Sequence, residues 1–364
     1  MAVKTNAMPK RIRNPLWSGS LQRTLTAMTR TAIRAGSKAM TQALRSRRPA
    51  SAKKTAVKTA PPFSGQWSTG FAAGVAGALR YRLFRPPGVR HSERLPLLVM
   101  LHGCGQDAQA LAASTRMNQI AARERFLVLY PEQDRLSNLQ GCWNWHQTRS
   151  GKAQGEAGAI AAAIDQICLT QPVDPARIAL AGLSAGAGMA ALLATRCPER
   201  FRAIVMHSGI APGVAHSSAT ALTAMRGRRV AVPLAPLAGG AHLPALLVIQ
   251  GSADHLIAPS NGVEAARLWA AREGAKAGLP RTVQRGARYA ANITDYRCQG
   301  RLVATLCEIV GLGHAWSGGA ASQTFSDPKG PDASRMIWAF ATRQFAMPRV
   351  GFAVEEPVEF APRN

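Results

Sequence analysis

The pentapeptide Gly182-Leu183-Ser184-Ala185-Gly186 lies between a β-rich run, Arg177 to Ala181, and a stretch of small residues, Ala187 to Thr195, that reads as a helix. A strand that turns at once into a helix needs a very tight corner. Glycines two before and two after the central residue let the backbone make that corner without side-chain clashes, and the serine at its apex projects its hydroxyl above the sheet. Ser184 is therefore the expected nucleophile. Taken alone the pattern is weak, because 33 glycines in 364 residues raise its chance frequency. It needs partners further along the chain.

Those partners follow in a definite order. The apolar run Pro244 to Ile249 reads as a buried strand and leads into Gly251-Ser252-Ala253-Asp254-His255, which places Asp254 in a loop at a strand end. Leu302 to Val310 reads as a second strand and runs into Gly311-Leu312-Gly313-His314-Ala315-Trp316, with His314 on a glycine-flanked loop. The order Ser, Asp, His is that of the α/β-hydrolases and differs from the chymotrypsin and subtilisin orders. An unassisted serine hydroxyl is a poor nucleophile near neutral pH. His314 is expected to take its proton and Asp254 to fix the imidazole. Leu97 to Leu101 reads as a further strand, ending in His102-Gly103-Cys104-Gly105-Gln106. The backbone N–H groups of Cys104 and Ala185 are then the expected oxyanion donors, and His102 is expected to buttress their loop. In the bland alternative, Asp254 merely caps a helix from Asn261 to Arg272 and His314 is a loop histidine, which leaves three coincidences unexplained. His207 and His255 are read as structural.

Apolar strands alternate with Ala-rich helices at Ala157 to Leu169, Ala185 to Arg196 and Asn261 to Arg272. This predicts an α/β fold with a mostly parallel sheet covered by helices on both faces. The site is then expected at the carboxyl ends of the strands. The expected layout is a basic extension over 1–48, an Ala/Lys/Pro linker over 49–62, a catalytic domain over 63–349 and an acidic tail over 350–364. Among the six cysteines, Cys104 and Cys142 fall in loops near the site, and Cys298 and Cys307 flank a hairpin. Either pair is a candidate disulfide, but a reducing cytosol would keep them apart, and free cysteine is the expectation. No His/Cys spacing suggests a metal, and no cofactor is expected.

The segments Leu101-His102-Gly103-Cys104-Gly105-Gln106, Tyr130-Pro131-Glu132-Gln133, Gly141-Cys142-Trp143-Asn144-Trp145, Gly182 to Gly186 and Gly313-His314-Ala315-Trp316 together resemble the poly(3-hydroxybutyrate) depolymerase esterases. These are relatives of feruloyl and acetylxylan esterases within the α/β-hydrolases. The resemblance runs from about Phe71 to about Phe345. It implies hydrolysis of short-chain polyhydroxyalkanoate esters through an acyl-serine. Ala187-Gly188-Met189 stands where many relatives have Gly-Ala-Met, an exchange that keeps two small residues beside the nucleophile. The same-chemistry alternative is a small-ester or feruloyl/acetylxylan-type esterase. A non-catalytic protein that binds granules or nucleic acid is the alternative of a different class.

An uncharged polyester calls for an apolar groove with few donors. Trp143, Trp145 and Trp316 are expected to line it, with Asn144 as a polar contact; the competing reading packs the indoles in the core. The Ala/Pro/Gly-rich stretch from Ile210 to His242 stands where many hydrolases insert a cap, and also reads as a plain surface loop.

Charge marks out the N-terminus. The chain carries +26 overall, no acidic residue precedes Glu93, and residues 1–92 hold 18 lysines and arginines, leaving 27 basic and 19 acidic residues after them. Within residues 14–48, Asn14-Pro15 reads as a helix start. A 100° step then gathers Trp17, Leu21, Leu25, Met28 and Ala32 on one face, with Arg23, Arg30, Arg34, Lys38 and Arg45 opposite. A basic amphipathic helix suits a polymer granule or anionic surface. Nucleic-acid binding, a cleaved transit segment and a solvated tail are its rivals. Residues 1–60 hold no run of seven apolar residues of the kind a secretory signal needs, and no stretch is long enough to span a membrane. A cytoplasmic, granule-associated location is the expectation.

Overall fold

The computed structural model describes residues 65–74, 77–234, 237 and 241–348. The expected basic helix of residues 14–48, the linker 49–62 and the tail 350–364 lie outside the described residues.

Leu95–Leu101 is β3, and all seven of its residues are buried. A strand with no exposed face must be covered on both sides, and its alternation sorts two helical layers. Leu97, Val99 and Leu101 pack in one core with Ile160, Met189 and Trp269, which come from α3 (Lys152–Thr170), α4 (Ala185–Arg196) and α6 (Ser260–Arg272). Leu98 and Met100 pack in the other with Leu111, Met117 and Trp338, from α1 (Ala108–Thr115), α2 (Met117–Glu124) and α7 (Ala333–Ala346). In that second layer Trp338 stacks on Phe126 at 3.6 Å between ring centroids.

The other strands of the main sheet are β1 (Gln66–Gly74), β2 (Gly77–Arg85), β4 (Leu127–Pro131), β5 (Val173–Leu183), β6 (Ala203–His207), β7 (Ala245–Gly251), β8 (Lys276–Ala277), β9 (Arg281–Val283), β10 (Ala291–Cys298) and β11 (Arg301–Ile309). They form one sheet in the order β1-β2-β4-β3-β5-β6-β7-β11-β10-β8, with β9 on β10. From β4 to β11 the neighbours run parallel. Antiparallel hairpins finish the two ends. From β3 the chain goes outward to β4 and then returns to β5 on the other side. That reversal opens a crevice beyond the carboxyl ends of β3 and β5, where Leu101 pairs with Gly182. The expected α/β-hydrolase architecture is the one observed.

α3 starts before the expected Ala157, since its first turns carry Gln154, Gly155 and Glu156 and break the apolar pattern. The β10–β11 hairpin turns through Gln299 and Gly300, both at positive φ. Between β6 and β7 the chain forms α5 (Ser218–Met225), begun by a Ser217/Thr220 capping box. Ile210, Ala211, Val214 and Ala215 anchor this segment in the core, while Val230 and Val232 face solvent. Among the described residues no helix is long and apolar enough to cross a membrane.

Candidate active site

Ser184 stands between β5 and α4 with φ 57° and ψ −118°, a conformation that costs a non-glycine residue about 1–3 kcal/mol. Its neighbours leave no alternative. A Cβ on Gly182 would lie 2.2 Å from Gly186 O, and one on Gly186 would lie 2.3 Å from Leu101 O. The Ser184 N–H donates to His207 O at 2.8 Å, so the corner is tied to β6. The serine is only partly buried.

His314 and Asp254 come to it from β11 and β7. The Ser184 hydroxyl lies 3.1 Å from His314 Nε2, and His314 Nδ1 lies 2.8 Å from Asp254 Oδ2. With Nδ1–H donating to the carboxylate, Nε2 is left to accept the serine proton. Asp254 is buried. Its Oδ1 accepts the amides of Leu256 and Ile257 at 3.0 and 2.8 Å, and Gln250 Nε2 donates to Oδ2 at 3.3 Å. Burial alone would raise the Asp254 carboxyl. The hydrogen bond and charge of His314, with the two amides, outweigh it and hold the pKa below the ordinary carboxylate value.

The loop after β3 folds against the elbow, where a Cβ on Gly103 would stand 3.5 Å from Ser184 Cβ. Among the described residues the N–H groups of Cys104 and Ala185, the expected oxyanion donors, have no acceptor. Around them the loop is held by side-chain hydrogen bonds, although Gln106 Nε2 is buried without a partner among the described residues. His102 is buried, with Nδ1 donating to Gly103 O at 2.9 Å and Nε2 accepting the Gln133 N–H at 3.0 Å. Burial depresses its pKa and keeps it neutral in this buttressing place. Gln106 Oε1 accepts the Gly103 N–H, and Gln133 Nε2 donates to Cys142 O. Gln106 and Gln133 stood within recognisable motifs without an assigned task. Glu156, which binds the Asn144 backbone N–H at 2.8 Å, had no signal on its Ala-rich helix.

Two expectations are corrected. Cys104 and Cys142 are joined in a disulfide, because the bond from Gly105 N–H to Gln140 O brings the two loops into register. Cys168, Cys197, Cys298 and Cys307 are free, as expected. The groove residues are also misplaced. Trp143, Asn144 and Trp316 are at most 1% exposed and Trp145 is 9% exposed, so none of them forms an open cleft wall. Trp143 packs beside His102 at 5.5 Å. Trp145 lies against Gly188, where an added Cβ would stand 3.0 Å from the indole. Trp316 stacks on His207 at 5.0 Å and donates its Nε1–H to Ser334 Oγ. Asn144 spends its amide on Glu156. The indoles back the catalytic loops from inside, where they exclude water.

The exposed apolar residues near the site are others. Leu136 and Leu139, 93% and 87% exposed, ride the loop that the disulfide ties to Cys104. Leu256 is two residues from Asp254 and half exposed. Leu222 is on α5, whose first turn meets His146 at Ser218.

Sheet order, strained serine corner and the downstream acid and histidine define an α/β-hydrolase. The chain belongs to the Esterase PHB depolymerase family, whose family model matches residues 79–269. It is 33% identical over 175 residues to the poly(3-hydroxyalkanoate) depolymerase C of Paucimonas lemoignei, covering 46% of this chain and 42% of that one. It is 27% identical over 203 residues to acetylxylan esterase A of Emericella nidulans, covering 52% and 66%. The chain thus spans less than two thirds of the length of either relative. A solved acetyl xylan esterase from Aspergillus awamori shares the fold at a TM-score of 0.57 and 19% identity, over 69% of this chain and 94% of that one.

His207 supplies a pH test of this scaffold. Its Nε2 accepts the Ser317 N–H at 3.1 Å, and burial, with the nearby His314 charge, pushes its pKa down to about 3. The unfolded chain therefore binds the proton first as pH falls. The contribution of neutral His207 is whole above the ordinary histidine value near 6.5 and is lost toward pH 3, at about 1.4 kcal/mol per pH unit. Urea unfolding between pH 7 and pH 4 is expected to show a flatter pH dependence for His207→Gln than for the parent. Equal slopes would remove His207 from the account.

Proposed function

We propose that this protein is a serine carboxylesterase that hydrolyses poly(3-hydroxybutyrate) or short-chain polyhydroxyalkanoate esters. The observation that carries the proposal is the unbroken relay from Ser184 Oγ through His314 to Asp254. As Ser184 Oγ attacks the ester carbonyl carbon, its proton passes to His314 Nε2. The carbonyl oxygen becomes an oxyanion facing the N–H groups of Cys104 and Ala185, and Asp254 stabilises the imidazolium. Collapse breaks the ester C–O bond, the leaving alkoxide takes the proton from His314, and the acyl group stays on Ser184. Water then repeats the sequence and releases the hydroxyacid.

A polymeric substrate is supported by the similarity to a polyhydroxyalkanoate depolymerase and by the exposed leucines. An uncharged polyester surface offers methyl groups and carbonyls, and exposed Leu136 and Leu139 on the loop tied to Cys104, with Leu256 two residues from Asp254, offer matching apolar area. In this reading the basic residues 14–48 anchor the enzyme to the granule. Location is tied to the cysteines: a disulfide persists where thiols are oxidised, so the oxidation state of the Cys104–Cys142 pair in the cell tests the expected cytoplasmic location. Thiol titration of denatured, unreduced protein from its native compartment is expected to find four free thiols; six, the full cysteine count, would favour the cytoplasm.

The substrate is tested on amorphous poly(3-hydroxybutyrate) granules and on a soluble short-chain ester in parallel. Ser184→Ala is expected to lower both activities roughly a million-fold. Leu136→Asn with Leu139→Asn is expected to weaken granule hydrolysis alone, as is removal of residues 1–60. Brisk cleavage of the soluble ester with none of the granules would move the assignment to the acetylxylan or feruloyl type.

A further inference from the structure

A cavity of about 1480 Å³ opens where β10 and β11 meet α7, and none of Ser184, Asp254 and His314 lines it. It is larger than the roughly 300–1,000 Å³ of most small-molecule sites. Its floor is apolar, with Leu247, Ile293, Leu302, Met336 and Phe340 among the lining residues. Its walls are cationic: ten arginines line it against three carboxylates, Glu199, Asp295 and Asp332.

Four of these arginines are ion-paired, Arg281 with Asp295, Arg335 with Asp332, Arg301 with Glu273 and Arg123 with Glu124. Arg288 and Arg297 instead donate to the backbone oxygens of Gly330 and Gly300, which leaves their charge in place. Arg285 and Arg343 line the cavity, and their side chains make no ion pair or hydrogen bond among the described residues. A cleft of one sign with low-dielectric walls concentrates its field. An uncharged ester gains nothing from that field. The ligand that fits both floor and walls carries carboxylates and apolar side chains together. A nucleic acid backbone satisfies only the walls.

Such a segment begins at the cavity itself. Met347 and Pro348 are lining residues, and Arg202 fixes the chain's exit by donating to the carbonyls of Gln344 and Met347. The residues that follow, 350–364, contain Glu355, Glu356 and Glu359 interleaved with Phe352, Val354, Val358 and Phe360. Fifteen residues can reach roughly 50 Å. The N-terminal arm has the same sign as the cavity wall and is excluded by charge. We propose that the arginine-lined cavity is a docking site for an acidic, apolar peptide, and that its occupant is segment 350–364 of the same chain.

The test uses the full chain and a fluorescein-labelled peptide of residues 350–364, with binding read by anisotropy. A tethered segment competes at a high effective concentration, so the parent is expected to bind the peptide at least about tenfold more weakly than the full chain carrying Glu355→Gln, Glu356→Gln and Glu359→Gln. Adding Arg285→Ala and Arg343→Ala to that variant is expected to lower its affinity about tenfold, and added salt to weaken it further. Equal peptide binding by parent and triple variant, or no binding by either, would overturn the proposal. So would a DNA duplex that binds in an Arg285- and Arg343-dependent way where the peptide does not.

Discussion

The corner at Ser184 is the constraint from which the rest of the site follows. Its φ of 57° and ψ of −118° place a hydroxyl above the sheet at the cost of strain, and such strain survives only where the surroundings over-determine it. Gly182 and Gly186 are pressed against one another and against the end of β3. The Ser184 amide is held by His207. A Cβ on Gly209 would lie 2.4 Å from Ala187 Cβ, so the helix leaving the corner is also seated against the chain beyond β6. The energy for this comes from the buried sheet, where β3, β5 and β6 present apolar side chains to both helical layers.

Both catalytic loops are supported in the same way, by a buried imidazole beside a buried indole. His102 and Trp143 stand behind the oxyanion loop, and His207 and Trp316 behind the His314 loop. Each imidazole accepts a backbone N–H from a distant segment, Gln133 in one case and Ser317 in the other. A neutral ring that is bonded on its outer nitrogen is a rigid spacer. The Cys104–Cys142 bond adds a covalent tie on the oxyanion side only. In the proposed mechanism, the preorganisation that transition-state stabilisation requires is thus built from buried residues behind the loops.

The parts written in local pattern were the legible ones. Ser184, Asp254 and His314 each sat at the end of an apolar run, so strand and loop could be read together, and the parallel sheet followed from the same runs. The tryptophans were misread because a loop position says nothing about which way an indole turns, and here the cores behind the loops claimed all three. Cys104 and Cys142 were a candidate pair in the sequence, but the choice between bonded and free depends on two loops 38 residues apart coming into register, which no local signal carries. The arginine-lined cavity was equally hidden, since its residues are gathered from α2, α7, β10, β11 and the loop before β7.

The central claim is that Ser184 is an activated nucleophile, and an active-site phosphonate tests it most directly. After incubation of the full chain with a fluorophosphonate, intact-mass and peptide mapping are expected to show one adduct, on Ser184, whose rate of formation collapses in His314→Ala and in urea-unfolded protein. An adduct on another residue, or labelling of Ser184 at the same rate without His314, would contradict the account.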